Sequence, residues 1–387
     1  SLISVAIFIF GLTGVILSHN LSALINLPFI ALVCLMILVF GKNRFVFLKN
    51  LSLGTVFSLG LSCFYWLPAL VEMGETKIFG QVGGGADFQD HFVFLDQLWA
   101  SPWGFGGSAL GRLDGMSFMV GKIHLLLIVL VLFIFLTRIV LGKTKSLLVG
   151  GLVSGGFILS LFFTLSISTF VWQSISPMAF IQYPWRFLGP AILFGSVLAG
   201  AFPFLLIKQK NVRIPLVLFL SIGLVVFSLK YFQVQTLVNK TDDDYLNQEA
   251  IKWQISKVSD EYLSKGFPVP QKQEEVAWDK IVVLSGEAKI KERENLFLRQ
   301  EFLIKTEGRS EVLVNTAFFP GWQAKLDEQI IVPEIYQGKM KFVLLQGEHW
   351  LKLEFKDTLI RRIANYISLA SLLAFLGFVF VRKKKSA

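Results

Sequence analysis

Between two long apolar runs lies the stretch FLDQLWASPWGFGGSALGRLDGMSF, residues 94–118, where Asp96, Asp114, Arg112, Trp99 and Trp103 stand among five glycines. Together these residue types offer a general base, a clamp for an anion and an aromatic platform. A carboxylate, here Asp96 or Asp114, can take the proton from an acceptor hydroxyl. A cation, here Arg112, stabilises a departing phosphate. Aromatic rings, here Trp99 and Trp103, stack on the apolar face of a sugar. An interfacial aromatic belt explains the two tryptophans equally well, and short acidic loops are commonly just solvated.

Other positions carry further signals, of which Arg186 is the most informative. Arg186 opens an apolar run on the side of the membrane where positive charge is not expected, so it needs an anion, either a lipid-borne phosphate or ordinary headgroups reached by snorkelling. Tyr183 and Trp185 beside it read as further lipid or sugar contacts or as interfacial anchors. His19 and Asn20 sit at a helix end, where a cap or an interhelical hydrogen bond competes with ligand contact. The run FGGSALG at 105–111 matches no phosphate-loop spacing. ADFQDH at 86–91 has Asp87, Asp90 and His91 at spacings compatible with a divalent ion, but no further ligands accompany them, so no metal or other cofactor is expected. Cys34 and Cys63 lie deep in apolar runs, where a thiol is a small packing residue.

The chain is 54% hydrophobic and only 17% charged, against about 25% charged in a soluble domain. Eight runs have the length and apolarity to cross a hydrocarbon core of about 30 Å as helices, at 1–17, 21–40, 50–71, 122–141, 147–171, 186–207, 214–231 and 362–381. The abrupt start at Ser1 reads as the surviving part of a longer chain. Lys42, Arg44 and Lys49, Lys143 and Lys145, Lys208, Lys210 and Arg213, and Arg382 to Lys385 cluster in loops free of acid, which places those loops in the cytoplasm. The acidic residues fall on the other side, in loop 72–121 or in 232–360. A net charge of +10 is therefore a topology signal and excludes a nucleic-acid partner, which needs a basic face on a folded domain. Residues 94–118 then read as a re-entrant or surface loop lining an extracytoplasmic cavity, since backbone may enter a membrane only where protein or water satisfies it.

Three parts follow: a helical membrane domain at 1–231, an extracytoplasmic α+β domain at 232–360, and a final span with a basic tail at 361–387. Within the second part, DDDYLNQEAIKWQISKVSDEYLS reads as an amphipathic helix with Asp242 to Asp244 at its N-terminal end. After the break GFPVPQ come KIVVLSG, NLFLRQEFLIKT, SEVLVNTAFF, WQAKLDEQIIVP, KMKFVLLQ and HWLKLEFK. They alternate apolar with polar residues, the pattern of antiparallel strands in a small β-sandwich or jelly roll. Trp322 and Trp350 are expected to fill its core.

The run FFPGWQAKLDEQIIVPEIYQGKMKFVLLQGEHWLKLEFKDTLIRRIANYISLASLL resembles the C-terminal signature of YfhO-like bacterial polytopic membrane proteins. LSHNLSALINLPF at 17–29 and YPWRFLGP at 183–190 are similar to membrane motifs of the same group and of 6-pyruvoyl-tetrahydropterin synthase-related membrane proteins. The group in turn resembles the GT-C glycosyltransferase superfamily. The resemblance implies a multi-pass protein of the bacterial cell (inner) membrane with its C-terminus in the cytoplasm. It also implies a polyprenyl-phosphate-linked sugar as donor and an envelope glycan or lipid as acceptor, with Arg186 and Arg112 on the donor phosphate. In that superfamily the catalytic Asp lies in the loop between the first two spans, where this chain has only SHNL. The base-bearing loop is therefore expected upstream of Ser1 or is absent, and Asp96 or Asp114 would have to serve instead. The other reading is a non-catalytic membrane protein that binds or helps export envelope polymers, with the β-domain as a carbohydrate-binding or assembly module. A transporter would show inverted repeats or charges within its spans, and apart from terminal residues such as Arg138 there are none.

Overall fold

A computed structural model describes residues 2–82, 86–141, 147–234, 236–255 and 260–384. The basic positions Lys143, Lys145 and Lys385, and residues 256–259 of the amphipathic stretch, lie outside the described residues. The helices are α1 Leu2–Ser18, α2 Asn20–Phe40, α3 Arg44–Leu61, α4 Cys63–Glu72, α5 Leu95–Trp99, α6 Lys122–Val140, α7 Leu147–Thr164, α8 Thr169–Ser174, α9 Leu188–Leu206, α10 Lys210–Ser228, α11 Asp242–Leu246, α12 Gln248–Ile255 and α13 Leu359–Lys384. The strands are β1 Ile281–Ser285, β2 Ala288–Leu296, β3 Arg299–Thr306, β4 Ser310–Ala317, β5 Trp322–Leu326, β6 Gln329–Ile331, β7 Glu334–Tyr336, β8 Lys339–Leu344 and β9 Gly347–Phe355.

Among the described residues, five helical stretches are long and apolar enough to cross a membrane: Asn20–Phe40, Lys122–Val140, Pro184–Leu206, Lys210–Phe232 and Leu359–Val381. A sixth arises if Arg44–Leu61 and Cys63–Glu75, bent by 68°, are one span. Ser62 Oγ donates to Ser58 O at 2.7 Å at that break, a back-bond of the kind that bends helices. The first and fifth apolar runs give shorter helices, Ile3–Ser18 and Val149–Thr164. The run 147–171 does not continue as one helix, because Val93 N donates to Thr164 O at 3.1 Å and Leu165 is drawn into a bridge with Val93. The helix resumes only as α8.

The molecule divides into two compact units. One contains Gly14–Gly54 and Gln81–Val238. In it α9 packs on α6 and α7 through Leu127, Ile128, Val131, Phe157, Ala191 and Leu198. A second cluster gathers Ile25 and Phe29 of α2 with Phe88, Trp172, Ile181 and Phe187. These two clusters frame the loops at 86–121 and 175–187.

The other unit contains Ser1–Thr13, Thr55–Gly80 and Asn239–Ala387. Val5 and Ile9 of α1 close on Phe375 of α13, and Ser58 Oγ donates to Ile9 O at 3.1 Å. α13 packs along α4. Its approach to α3 is close enough that a Cβ at Gly60 would collide with Ser371, the small-residue device that lets helices meet backbone to backbone.

This unit also carries a separate antiparallel β domain of two sheets, ordered β1-β4-β8-β7 and β2-β3-β9-β5-β6. Alternate residues Phe302 and Ile304, Val312 and Val314, Met340, Phe342 and Leu344, and Leu351 and Leu353 meet in one buried core drawn from both sheets. Trp322 packs against that core and against Phe355, but Trp350 is 49% exposed, contrary to its expected place inside. Period two explains the difference: Leu351 and Leu353 take the inward face of β9, so Trp350 must point out. The segment 242–264 is not one helix, since α11 ends at Asn247, whose extended backbone breaks it from α12. Thr241 caps α11, and its hydrogen bonds hold the Asp244 carboxyl below its usual range.

Candidate functional site

The loop after α5 is built around one buried carboxylate. Asp114, 7% exposed, accepts from Gln97 Nε2 at 2.7 Å on one oxygen and from Ala109 N at 2.9 Å on the other. Gln97 in turn accepts the Phe94 N–H at 3.0 Å, so the start of α5 and the return of the loop share one network. Backbone bonds between Gly106 and Gly115 and between Gly115 and Gly107 close the neck, where the strands come too near for a side chain at Gly106. Ser101 Oγ meets Ser117 Oγ at 3.0 Å and accepts from Phe118 N at 2.8 Å. Asp114 is thus a framework group with both oxygens engaged. Asp96, the other candidate base, is exposed and paired with Arg112, whose guanidinium also lies over the Phe94 ring at 4.3 Å. The pair neutralises base and clamp against each other.

The second cluster centres on YPWR. Gln182 has φ 65° and ψ −44°, and Tyr183 N donates to Ile181 O at 2.7 Å, which makes a γ-turn, a strained conformation for a non-glycine residue. Arg186 braces that turn, its Nη1 donating to the same Ile181 carbonyl at 2.6 Å and lying 3.4 Å from Gln182 Oε1. The guanidinium sits over the rings of Tyr183 and Trp185, 4.8 and 5.9 Å from their centroids. Tyr183 meets the buried His91 edge to face at 4.7 Å, and His91 Nδ1 bonds Ser108 Oγ at 2.9 Å. The loops at 86–91 and 105–115 and the YPWR turn therefore converge. The indole N–H of Trp185 is buried with no hydrogen-bond partner among the described residues.

The remaining expected residues fall elsewhere. His19 caps α2, its Nδ1 accepting from Leu21 N at 3.1 Å, and Asn20 is the first residue of that helix. Asp87 Oδ1 accepts from Gln89 N, and among the described residues no three His, Cys, Asp or Glu side chains converge. Trp99 lies under Lys122 Nζ at 5.5 Å. Trp103 packs on Tyr231 at 4.9 Å.

Trp103 and Tyr231 also line a cleft of about 370 Å³, together with Ser101, Met119, Lys122 and Lys230. The volume is at the small end for a ligand site and suits a headgroup more than a whole lipid. Among the described residues its lining holds two ammonium groups, two aromatic rings and no carboxylate. Lys122, Lys230 and Tyr231 escaped the sequence reasoning, although both lysines stand where an apolar run adjoins an acid-bearing segment and, like Arg186, are cations at the end of such a run. Comparison of the chain with protein-family models, with curated proteins and with solved structures finds no match.

Proposed function

We propose that the chain is a multi-pass membrane protein that holds a polyprenyl-phosphate-linked sugar by its headgroup, as the donor site of a GT-C-like glycosyl transfer on the extracytoplasmic side of a bacterial membrane. The observation that carries this reading is the cleft. Among the described residues Lys122 and Lys230 share it with no acidic partner, so bringing an anion between them relieves like-charge repulsion, and Trp103 with Tyr231 offers the stacking surface a sugar needs. The transfer itself requires a base near the acceptor hydroxyl, and Asp96 is the exposed carboxylate nearest in sequence to the cleft-lining Ala100 and Ser101.

The engagement of Asp114 and the pairing of Asp96 favour a second reading, in which the same cleft binds an envelope glycolipid without transforming it. One experiment separates them. The chain in nanodiscs is titrated with a short-chain polyprenyl-phosphate sugar and with the matching polyprenol. Binding of the phosphate compound alone, weakened about tenfold or more by Lys122→Gln with Lys230→Gln, supports the cleft, a loss of about 1.4 kcal/mol or more. Equal affinity for both compounds or for the double variant refutes it. Turnover abolished by Asp96→Asn supports transfer, and binding without turnover supports the second reading.

A further inference from the structure

The hairpin joining β2 to β3 carries Leu296, Phe297 and Leu298 at its tip, and these are 57%, 91% and 51% exposed. Three consecutive exposed large apolar residues are unusual on a soluble domain and mark a contact surface. The register of the sheet says where this tip lies. β3 pairs with β9 so that Arg299 faces Glu354, and Phe355 N donates to Leu298 O at 2.9 Å. β9 runs towards Phe355, and only Lys356, Asp357 and Thr358 separate it from α13, one of the helices long enough to cross a membrane. The tip is therefore at the end of the β domain from which α13 departs. Trp322, paired with Phe355, marks the same end, as does the Phe319–Gly321 loop against α13.

We propose that Leu296, Phe297 and Leu298 insert into the bilayer interface beside the start of α13, so that the β domain is held to the lipid surface at a second point. The tip from Asn295 to Leu298 has no charge, and the groups beside it, Glu294 and Arg299, are paired with each other at 2.8 Å, Arg299 also meeting Glu301 at 2.6 Å, so that the apolar tip projects beyond a mutually neutralised pair with Arg293 one residue further back. This inference rests on α13 crossing the membrane and is independent of the cleft.

The test uses the full chain with Cys34→Ala and Cys63→Ala as background, reconstituted in vesicles of phosphatidylethanolamine and phosphatidylglycerol. An environment-sensitive fluorophore is placed on Phe297→Cys and, as a control, on Glu307→Cys, which lies past the far end of β3, about 26 Å away. With nitroxide lipids labelled high on the acyl chain, the fluorophore at 297 is expected to lose most of its emission and the one at 307 to keep it. Equal quenching at the two positions overturns the proposal. So does a shielded label at 297 in detergent whose shielding grows with protein concentration, because that outcome assigns the tip to contact between two copies of the chain. Retained emission at both positions, with near-complete quenching of a label at Ser368→Cys in α13, also refutes it.

Discussion

Replacing Arg361 with methionine should loosen the base of the β domain and the first turn of α13 from the end of α4. Arg361 sits in the first turn of α13 and grips Glu72 at the end of α4 through Nε at 2.9 Å and Nη2 at 2.8 Å, and Nη2 also donates to Pro320 O at 3.2 Å. Its guanidinium lies over Phe355 at 4.9 Å, and Thr358 Oγ1 satisfies the other oxygen of Glu72 at 2.7 Å. The two charged side chains are 15% and 13% exposed, so this is a mostly buried pair. Removing one member of such a pair costs about 3–5 kcal/mol, because the other charge is left without a partner. Methionine keeps the stem packing and Thr358 keeps one bond to Glu72, which brings the expectation to about 2–3 kcal/mol. Replacing both residues, Arg361→Met with Glu72→Met, should recover at least about 1 kcal/mol of that loss, since no buried charge remains. The assay is denaturant unfolding of the full chain in mild detergent, with the two single variants and the double variant forming a cycle. A single-variant effect within about 0.5 kcal/mol, the range of an ordinary surface change, would refute the reasoning, as would strict additivity in the cycle.

His349 offers Nδ1 to Asp327 at 2.7 Å and Nε2 to the Leu345 carbonyl at 2.9 Å, two acceptors that only an imidazolium satisfies at once. Burial opposes its charge, but these bonds and the Asp327 charge outweigh burial and raise its pKa above the usual histidine value. The clasp is therefore fully present below about pH 6.5 and weakens as pH rises through the raised value, and hydrogen exchange of residues 322–331 and 345–355, corrected for intrinsic rate, should show protection falling over that range in the parent and staying flat in His349→Gln. Asp114→Asn should cost about 1–3 kcal/mol by presenting a donor to a donor and should speed tryptic cleavage after Arg112, whereas Asp96→Asn should change stability by less than about 1 kcal/mol; equal effects of the two would contradict the framework role. Gln182→Gly should stabilise the chain by about 0.5–1 kcal/mol by relieving positive φ net of glycine entropy, and a lower unfolding midpoint would show that the Gln182 side chain matters more than its backbone.

Apolar length and period were enough to locate five long apolar helices and the β core, because burial imposes them directly on the sequence. Phe302 with Ile304 and Val312 with Val314 alternate as an inward face must. The breaks in the apolar runs were not legible: the one at Leu165 depends on Val93, a partner distant in sequence, and the one at Ser62 on a serine back-bond to Ser58 that a lone serine in an apolar run does not announce. β2 was missed because AKIKERENL carries few apolar residues, as suits an edge strand that must discourage further pairing. Within the candidate site, Arg186 stood out by its position, but its γ-turn has no residue signature. Asp96 and Asp114 looked alike in sequence, and only the folded position of Gln97 makes one a framework group and leaves the other at the surface.

The unit that carries the β domain is assembled from three separated stretches of chain, and this has a bearing on the order of events during biosynthesis. Ser368 of α13 donates to Gly60 O across 308 residues of sequence. At a synthesis rate of about 5–20 residues per second, the α3–α4 region waits about 15–60 s for that partner. During this interval the bend at Ser62 and the carboxylate of Glu72 have neither α13 nor Arg361 against them. The early helices of this unit are thus clients in waiting, and a ribosome stalled before residue 359 would leave them open to quality-control proteases that ignore the finished protein.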